Sequence, residues 1–333
     1  MSEPLDGVMQ TTRCWQRERE ERVLAQLRTR CARFSQQMLR QVTQQRAAFR
    51  VGGSGVDLAW LAEQQAWQQI LRSMQMQVRY VAQHSTSRLH EQSQVVLRRG
   101  ERDARALLRA VGMRRPHALA HGVMVTMHQE QARRIVGMPL TERLYDVTQQ
   151  ALLAAVLQIA LQEPDAVIEV GLQNGLGKVR NYLHMLARET GGHAYRSASA
   201  AVFRQHGVTH WQWAADVARA ISPCGLCIAL HGRIFPMETA LAGHPGCHCL
   251  AVPVLELAAP PIATNGIAWF AAQEEAVQCR ILGPSKQAHY AAGTLHLPDL
   301  IGEVEVEGCP THRERTLNEL GLERVRGGKG SCD

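Results

Sequence analysis

The stretch Pro223-Cys224-Gly225-Leu226-Cys227, followed by Gly243-His244-Pro245-Gly246-Cys247-His248-Cys249, decides how the rest of the chain is read. Four of the nine cysteines fall in it, and a histidine lies between the pairs. Cys224 and Cys227 are separated by two residues, and His244 and Cys247 repeat that spacing. A Cys-x-x-Cys pair at a turn aims two thiolates at one ion, and a second pair from a returning segment completes a tetrahedral shell. Cys224, Cys227 and His244 are therefore candidate zinc ligands, and the fourth is Cys247 or Cys249. Spacing favours Cys247, because it mirrors the first pair. His248 is expected to point away.

The residues around this stretch alternate as strands do. Thr209-His210-Trp211-Gln212-Trp213-Ala214 reads as one strand, Arg233-Ile234-Phe235 as a second and Leu250-Ala251-Val252-Pro253-Val254 as a third. Pro253 lacks an N–H donor, so the third belongs at an edge. The cysteines thus sit on loops tied to a small sheet.

Upstream the pattern is helical. Leu24, Leu27, Cys31, Phe34, Met38 and Val42 recur at steps of three and four, predicting a helix from Gln16 to about Phe49 behind a mobile arm at 1–14. Val51-Gly52-Gly53-Ser54-Gly55 predicts a turn and Asp57 a cap. Trp60, Trp67, Leu71, Met74, Val78 and Val81 continue a second stripe. Arg98-Arg99-Gly100 interrupts it, with a shorter helix at 101–111. Further helices are predicted from Pro116 to Val136, from Pro139 to Leu161, over 179–190 and over 194–205, with Gly191-Gly192 as a break. His117, His121 and His128 fall roughly on one face and read as surface or core histidines. Gly171 to Gly177 lacks the spacing and the Lys-Ser/Thr end of a phosphate loop.

Downstream of Pro260-Pro261 the chain is shorter in its elements. A helix is predicted over 268–282, a strand over 303–307 and a terminal helix at 316–320, ahead of a loose glycine-rich end. The fold class is therefore α+β: a predominantly helical N-terminal region followed by a small mixed α/β module with a Cys/His zinc-type clamp. The predicted domains are a basic long-helix bundle or arm at 1–164, a core module with the Cys/His cluster at 165–258 and a small mixed extension at 259–333.

Charge separates the two halves. The chain carries +7, with +10 on residues 1–150 and −3 on the remainder. Such a basic half suits nucleic acid or an acidic partner, and equally suits arginines whose stems cover exposed helix faces. The cysteines do not read as a disulfide framework, no targeting segment is expected at residues 1–20, and no stretch is apolar enough to span a membrane. Thiolates of this kind suit an intracellular, reducing setting.

Catalysis finds little footing. No His-Glu-x-x-His motif occurs, and Cys249 and His248 are neighbours that a strand would send to opposite faces. Glu303-Val304-Glu305 reads as alternating acids on an edge strand.

From about Val179 to Val254 the residues resemble the tailed-phage head-morphogenesis family, the minor head proteins of the phage Mu F and phage SPP1 gene 7 type. Ala187-Arg188-Glu189-Thr190, Gly207-Val208 with Trp211 and Trp213, and Cys224-Gly225-Leu226-Cys227 with Leu230-His231-Gly232 carry the resemblance. So do His244-Pro245-Gly246-Cys247-His248-Cys249 and Pro253-Val254, with His248 where the family has arginine. Gln278, Ile281 to Pro284, Tyr290, Gly293, Leu297 and Asp299-Leu300 resemble material that follows this module in some phage minor capsid proteins. The resemblance implies a non-enzymatic virion protein of the phage head, acting near the portal in procapsid assembly and DNA packaging or delivery. Its partners would be portal protein and major capsid or scaffolding protein, with packaged double-stranded DNA a further contact. It implies no small-molecule substrate, and a location in the host cytoplasm during assembly. The rival reading is a zinc-dependent nucleic-acid-binding protein or nuclease.

Overall fold

A computed structural model describes residues 4–49, 58–217, 224–244, 246–306 and 309–324. The predicted turn at 51–55, the cap at Asp57 and the end from Arg326 lie outside the described residues. The chain divides into two compact units that interleave in sequence. One contains residues 18–93 and 129–191, and the other contains 1–17, 94–128 and 192–333. These limits do not follow the predicted boundaries at 164 and 258.

The first of these units is helical. It takes residues from α1 (Leu5–Gln44), α4 (Gln65–Ala110), α5 (His121–Gly137) and α7 (Asp165–Gln205), together with α2 (Arg46–Phe49), α3 (Leu58–Glu63) and α6 (Leu140–Ala160). The predicted stripes are its core: Leu24, Leu27, Met38, Met74, Val78, Leu152, Val156, Leu183 and Leu186 are buried together. A 3.6-residue period puts such positions on one side of each helix, and burying that side supplies stability that helix propensity alone does not.

Four expectations about these helices are corrected. Residues 5–14 are not an arm but the first turns of α1, and Val8 and Met9 are buried. Gly100 does not interrupt α4, because a Cβ there would lie 2.7 Å from the Tyr195 carbonyl oxygen, so glycine allows α4 and α7 to approach. Gly191-Gly192 likewise does not end α7, which runs unbroken for 41 residues. Gly175 sits within that same helix, where a Cβ would come 2.6 Å from the Ala151 side chain of α6. Glycine in a helix costs about 1 kcal/mol relative to alanine, and close helix contacts of this kind offset it. Further on, Pro116 does not open α5, which starts at His121 and leaves His117 outside it.

The second unit holds the sheet. β1 (His210–Ala214) is the centre of a three-stranded antiparallel sheet in the order β2-β1-β3, flanked by β2 (Ile234–Pro236) and β3 (Leu250–Val254). Pro253 pairs across from Trp211 on the edge strand, as its missing donor requires. Trp211, Trp213, Leu250 and Val252 pack with Val96, Leu97, Leu107 and Leu108 of α4 and Val202 and Phe203 of α7. Trp211 also stacks on Phe235, with ring centroids 4.7 Å apart.

The predicted helix at 268–282 is two: α9 (Gly266–Ala271) and α10 (Glu275–Leu282), followed by α11 (Pro284–Ala291). A hairpin of β4 (Ile301–Val306) and β5 (Cys309–Glu314) follows, and its second strand was not predicted. This region does not stand apart from the cysteine module. Phe270, Leu282, Leu295, Leu297 and Leu300 bury Ile228 and Ala229 of α8 (Gly225–Leu230), the helix that carries Cys227. A Cβ on Gly225 would lie 2.7 Å from Leu282, and one on Gly266 would lie 2.0 Å from the Ile228 carbonyl oxygen. Among the described residues, no helix is long and apolar enough to cross a membrane.

Candidate metal centre

The first Cys pair sits at the start of a helix. Cys224 has an extended backbone and caps α8, its Sγ accepting the Cys227 N–H at 3.4 Å. That turn presents both thiols on one side. The second segment turns by a backbone bond instead: the Cys247 N–H donates to the His244 carbonyl at 2.9 Å, and Gly246 takes φ +80°, where a side chain would be strained. Cys249 then donates its N–H to Cys247 Sγ at 3.4 Å. In each pair the leading cysteine sulfur accepts an amide from the trailing one, and such bonds favour the thiolate.

The donors converge. His244 Nε2 lies 3.3 Å from both Cys224 Sγ and Cys227 Sγ, and Cys227 Sγ lies 3.7 Å from Cys247 Sγ. Two groups capable of holding a metal ion share Cys227: Cys224 with Cys227 and His244, and Cys227 with Cys247 and Cys249. Tetrahedral zinc, with bonds of about 2.3 Å to sulfur and 2.0–2.1 Å to nitrogen, spaces its ligands about 3.8 Å apart for sulfur pairs and about 3.6 Å for sulfur and nitrogen. The observed separations are close to both. Cys227 and Cys249 are buried, while Cys224 and Cys247 are half-buried.

Protonation follows this geometry. The contact with the Cys227 thiol, aided by His244, draws Cys224 down to about 6. Cys247 falls well below the usual thiol value, first through its contact with Cys227. Cys227 is raised well above it, because it serves as donor to Cys224, Cys247 and Cys249. Cys249 is drawn down by Cys227 but ends well above, raised by the neighbouring Cys247 thiolate and by burial. Burial opposes an imidazolium at His244, yet contacts with Cys224 and Cys247 hold it up to about 11. Thiolates and one imidazolium thus share protons in a small space. A dication replaces those protons when it binds.

All five predicted residues, Cys224, Cys227, His244, Cys247 and Cys249, are brought together. His248 contributes to the lining of one cavity together with Asp216, Gly246 and four of the five donors. His117, His121 and His128 join no metal-capable group among the described residues. His117 instead donates its backbone N–H to His206 Nε2 at 3.0 Å. Cys14, Cys31 and the four cysteines at the cluster are free thiols, whereas Cys279 is disulfide-bonded.

Sequence reasoning missed what surrounds the donors. Arg13 Nη2 donates to the Ala214 and Ala215 carbonyls at 2.9 and 3.1 Å, and Nη1 lies 3.7 Å from Asp216. Arg17 pairs with the same carboxylate. His231 Nδ1 accepts the Ala215 N–H at 3.1 Å, and burial, with help from Arg13, lowers this histidine to about 4. Nothing in the local sequence around Arg13 marks it, because its partners lie 201 and 202 positions away.

No family model matches the chain, and neither a curated protein nor a solved structure matches it. The labels that the resemblance brought (virion protein, minor capsid protein, head morphogenesis, bacteriophage, portal-associated, capsid assembly) are corrected accordingly. No comparison carries them to this chain, and they do not serve as its identity.

Proposed function

We propose that the Cys/His cluster is a structural zinc centre and that the protein serves a structural, non-enzymatic role. The observation that carries this reading is that His244 Nε2 lies 3.3 Å from the sulfurs of Cys224 and Cys227, and Cys227 Sγ lies 3.7 Å from Cys247 Sγ, separations close to those between ligands of tetrahedral zinc. Cys247 is the fourth ligand, because its sulfur accepts the Cys249 amide as Cys224 accepts that of Cys227. Zinc suits a donor set of thiolates and one imidazole, and a closed set leaves no position for substrate. Asp216, the carboxylate that lines the cavity, is engaged by Arg13 and Arg17 and is thereby poorly placed to act as a general base.

Metal content with native mass of freshly purified, reduced protein tests the centre. One zinc per chain is the expected result, and none overturns it. Cys247→Ser loses the metal and Cys249→Ser keeps it; the reverse would exchange their roles.

The setting of this structural role rests on motif order between Val179 and Val254 and on no matched relative. That order supports action near the portal of a tailed phage, in procapsid assembly and DNA packaging or delivery, with portal and major capsid or scaffolding proteins as partners. The rival, a zinc-dependent nucleic-acid-binding protein or nuclease, draws on the basic charge of residues 1–150. Cleavage of DNA by the zinc-loaded chain, lost on changing His244 or His248, would favour the rival. Capture of purified portal protein without DNA turnover would favour the structural role.

A further inference from the structure

The cluster has a charged layer behind it that its ligand set does not explain. Arg13 comes from α1, far from the cysteines in sequence, yet it is only 7% exposed. Its guanidinium is fixed at the end of β1 by the Ala214 and Ala215 carbonyls and by Asp216. Its Nε is buried and has no hydrogen-bond partner among the described residues. A buried cation of this kind needs compensating negative charge. Asp216 is shared with Arg17 and lines the same cavity as Cys227, His244, Cys247 and Cys249, so the Arg13 guanidinium stands one carboxylate away from the donors.

A divalent ion held by three thiolates and a neutral imidazole leaves the centre with one net negative charge, and four thiolates would leave two. The excess charge and the buried guanidinium therefore complement one another. We propose that Arg13 is a positioning residue of the metal centre: it offsets the thiolate charge and fastens the start of α1 to the loaded cluster. This rests on the reading of the cluster as a metal centre. It adds that metal occupancy and the docking of residues 5–17 are linked. Groups that hold a metal ligand from outside commonly change affinity about 10- to 100-fold when removed.

The test uses the full zinc-loaded chain and three variants. Arg13→Met removes the charge. Arg13→Lys retains it with fewer donors. Thr12→Val disturbs the same turn of α1, since buried Thr12 bonds to Asp103 rather than approaching the cysteines. Zinc affinity is read by competition with a chromophoric chelator. Cobalt is then substituted to read the thiolate-to-metal charge-transfer band.

Arg13→Met is expected to weaken zinc binding about 10- to 100-fold and to shift the cobalt band. Arg13→Lys keeps the compensating charge while losing part of the fork that holds the two carbonyls, and should stay within about three-fold of the parent because charge is what the thiolates require. Thr12→Val should leave both readouts in place. In the parent chain, chelation should speed hydrogen exchange across residues 5–17. Unchanged affinity in Arg13→Met overturns the proposal, as does an equal loss in Thr12→Val. If Arg13→Met does not fold, a ten-fold loss in Arg13→Lys overturns it by showing that packing governs. A parent chain that takes up no metal fails the underlying reading itself; a parent that binds metal with affinity indifferent to Arg13 fails only this inference.

Discussion

The two units hold themselves together by different means. The helical unit draws on α1, α4 and α7, which run for 40, 46 and 41 residues, and buries long apolar stripes against one another. The Cys/His unit has strands of five, three and five residues. Strands that short bury little by themselves, and a small sheet is marginal without support. Support comes from Trp211 and Trp213, from the hydrophobic cover over α8, and from the ligand cluster that joins α8 to the turn before β3. Long elements can rely on area, whereas short ones need cross-links.

Metal removal separates the two most sharply. Zinc binding to a site absent from the unfolded chain contributes its binding free energy to folding, on the order of 10 kcal/mol in small zinc domains. Chelation, or Cys227→Ser, should release the segments 210–214, 225–230 and 250–254 to hydrogen exchange. Segments 65–90 and 140–160 should stay protected. Equal loss of protection in both units would break the comparison, and none in either would show the cluster to be dispensable.

A core truncation tests it from the other side. Leu152 is fully buried among the stripes of the helical unit. Leu152→Ala should cost about 2–5 kcal/mol, from lost burial and the cavity left behind. Denaturant unfolding followed by hydrogen exchange should place that loss in the helical unit, with zinc content of the native protein unchanged.

The difference between the units also governs what could be read in advance. The stripes from Leu24 to Val42 and from Trp67 to Val81 were legible because periodicity is local. The cysteine spacing was legible because metal geometry constrains sequence over a few residues. What was not legible depends on distant partners. Gly100 and Gly191 look like breaks until α7 and Gln92 lie beside them. Arg13 looks like one more surface arginine until the end of β1 is placed against it. A chain with 34 arginines gives no reason to choose that one.

His231 provides a pH test confined to the Cys/His unit. Its native value of about 4 lies below its ordinary 6.5, because burial disfavours the charged ring. Below pH 6.5 the unfolded chain takes up a proton that the native chain refuses until about pH 4. The stabilisation is therefore complete above 6.5 and declines as pH falls from 6.5 towards 4. The shift corresponds to at most about 3 kcal/mol. Acid also strips metal, so the useful quantity is the difference between the parent and His231→Gln profiles. That difference should change between pH 6.5 and 4 and remain flat above; a flat difference throughout would show that the ring carries no such linkage.

The smallest effect examines why glycine belongs in so long a helix. Gly175 and Gly177 are both in α7, two residues apart. A Cβ on Gly175 would lie 2.6 Å from Ala151, whereas one on Gly177 would meet nothing within 4 Å. Alanine at 177 should therefore stabilise the helical unit by about 0.5–1 kcal/mol, through propensity and a less flexible unfolded chain. At position 175 the same gain is opposed by a forced separation of α6 and α7, and overpacking costs about 1–3 kcal/mol. Gly175→Ala should thus lower the denaturant midpoint while Gly177→Ala raises it. Two shifts of the same sign would mean that the helices have room to move apart, and that tight contact does not explain the glycine at 175.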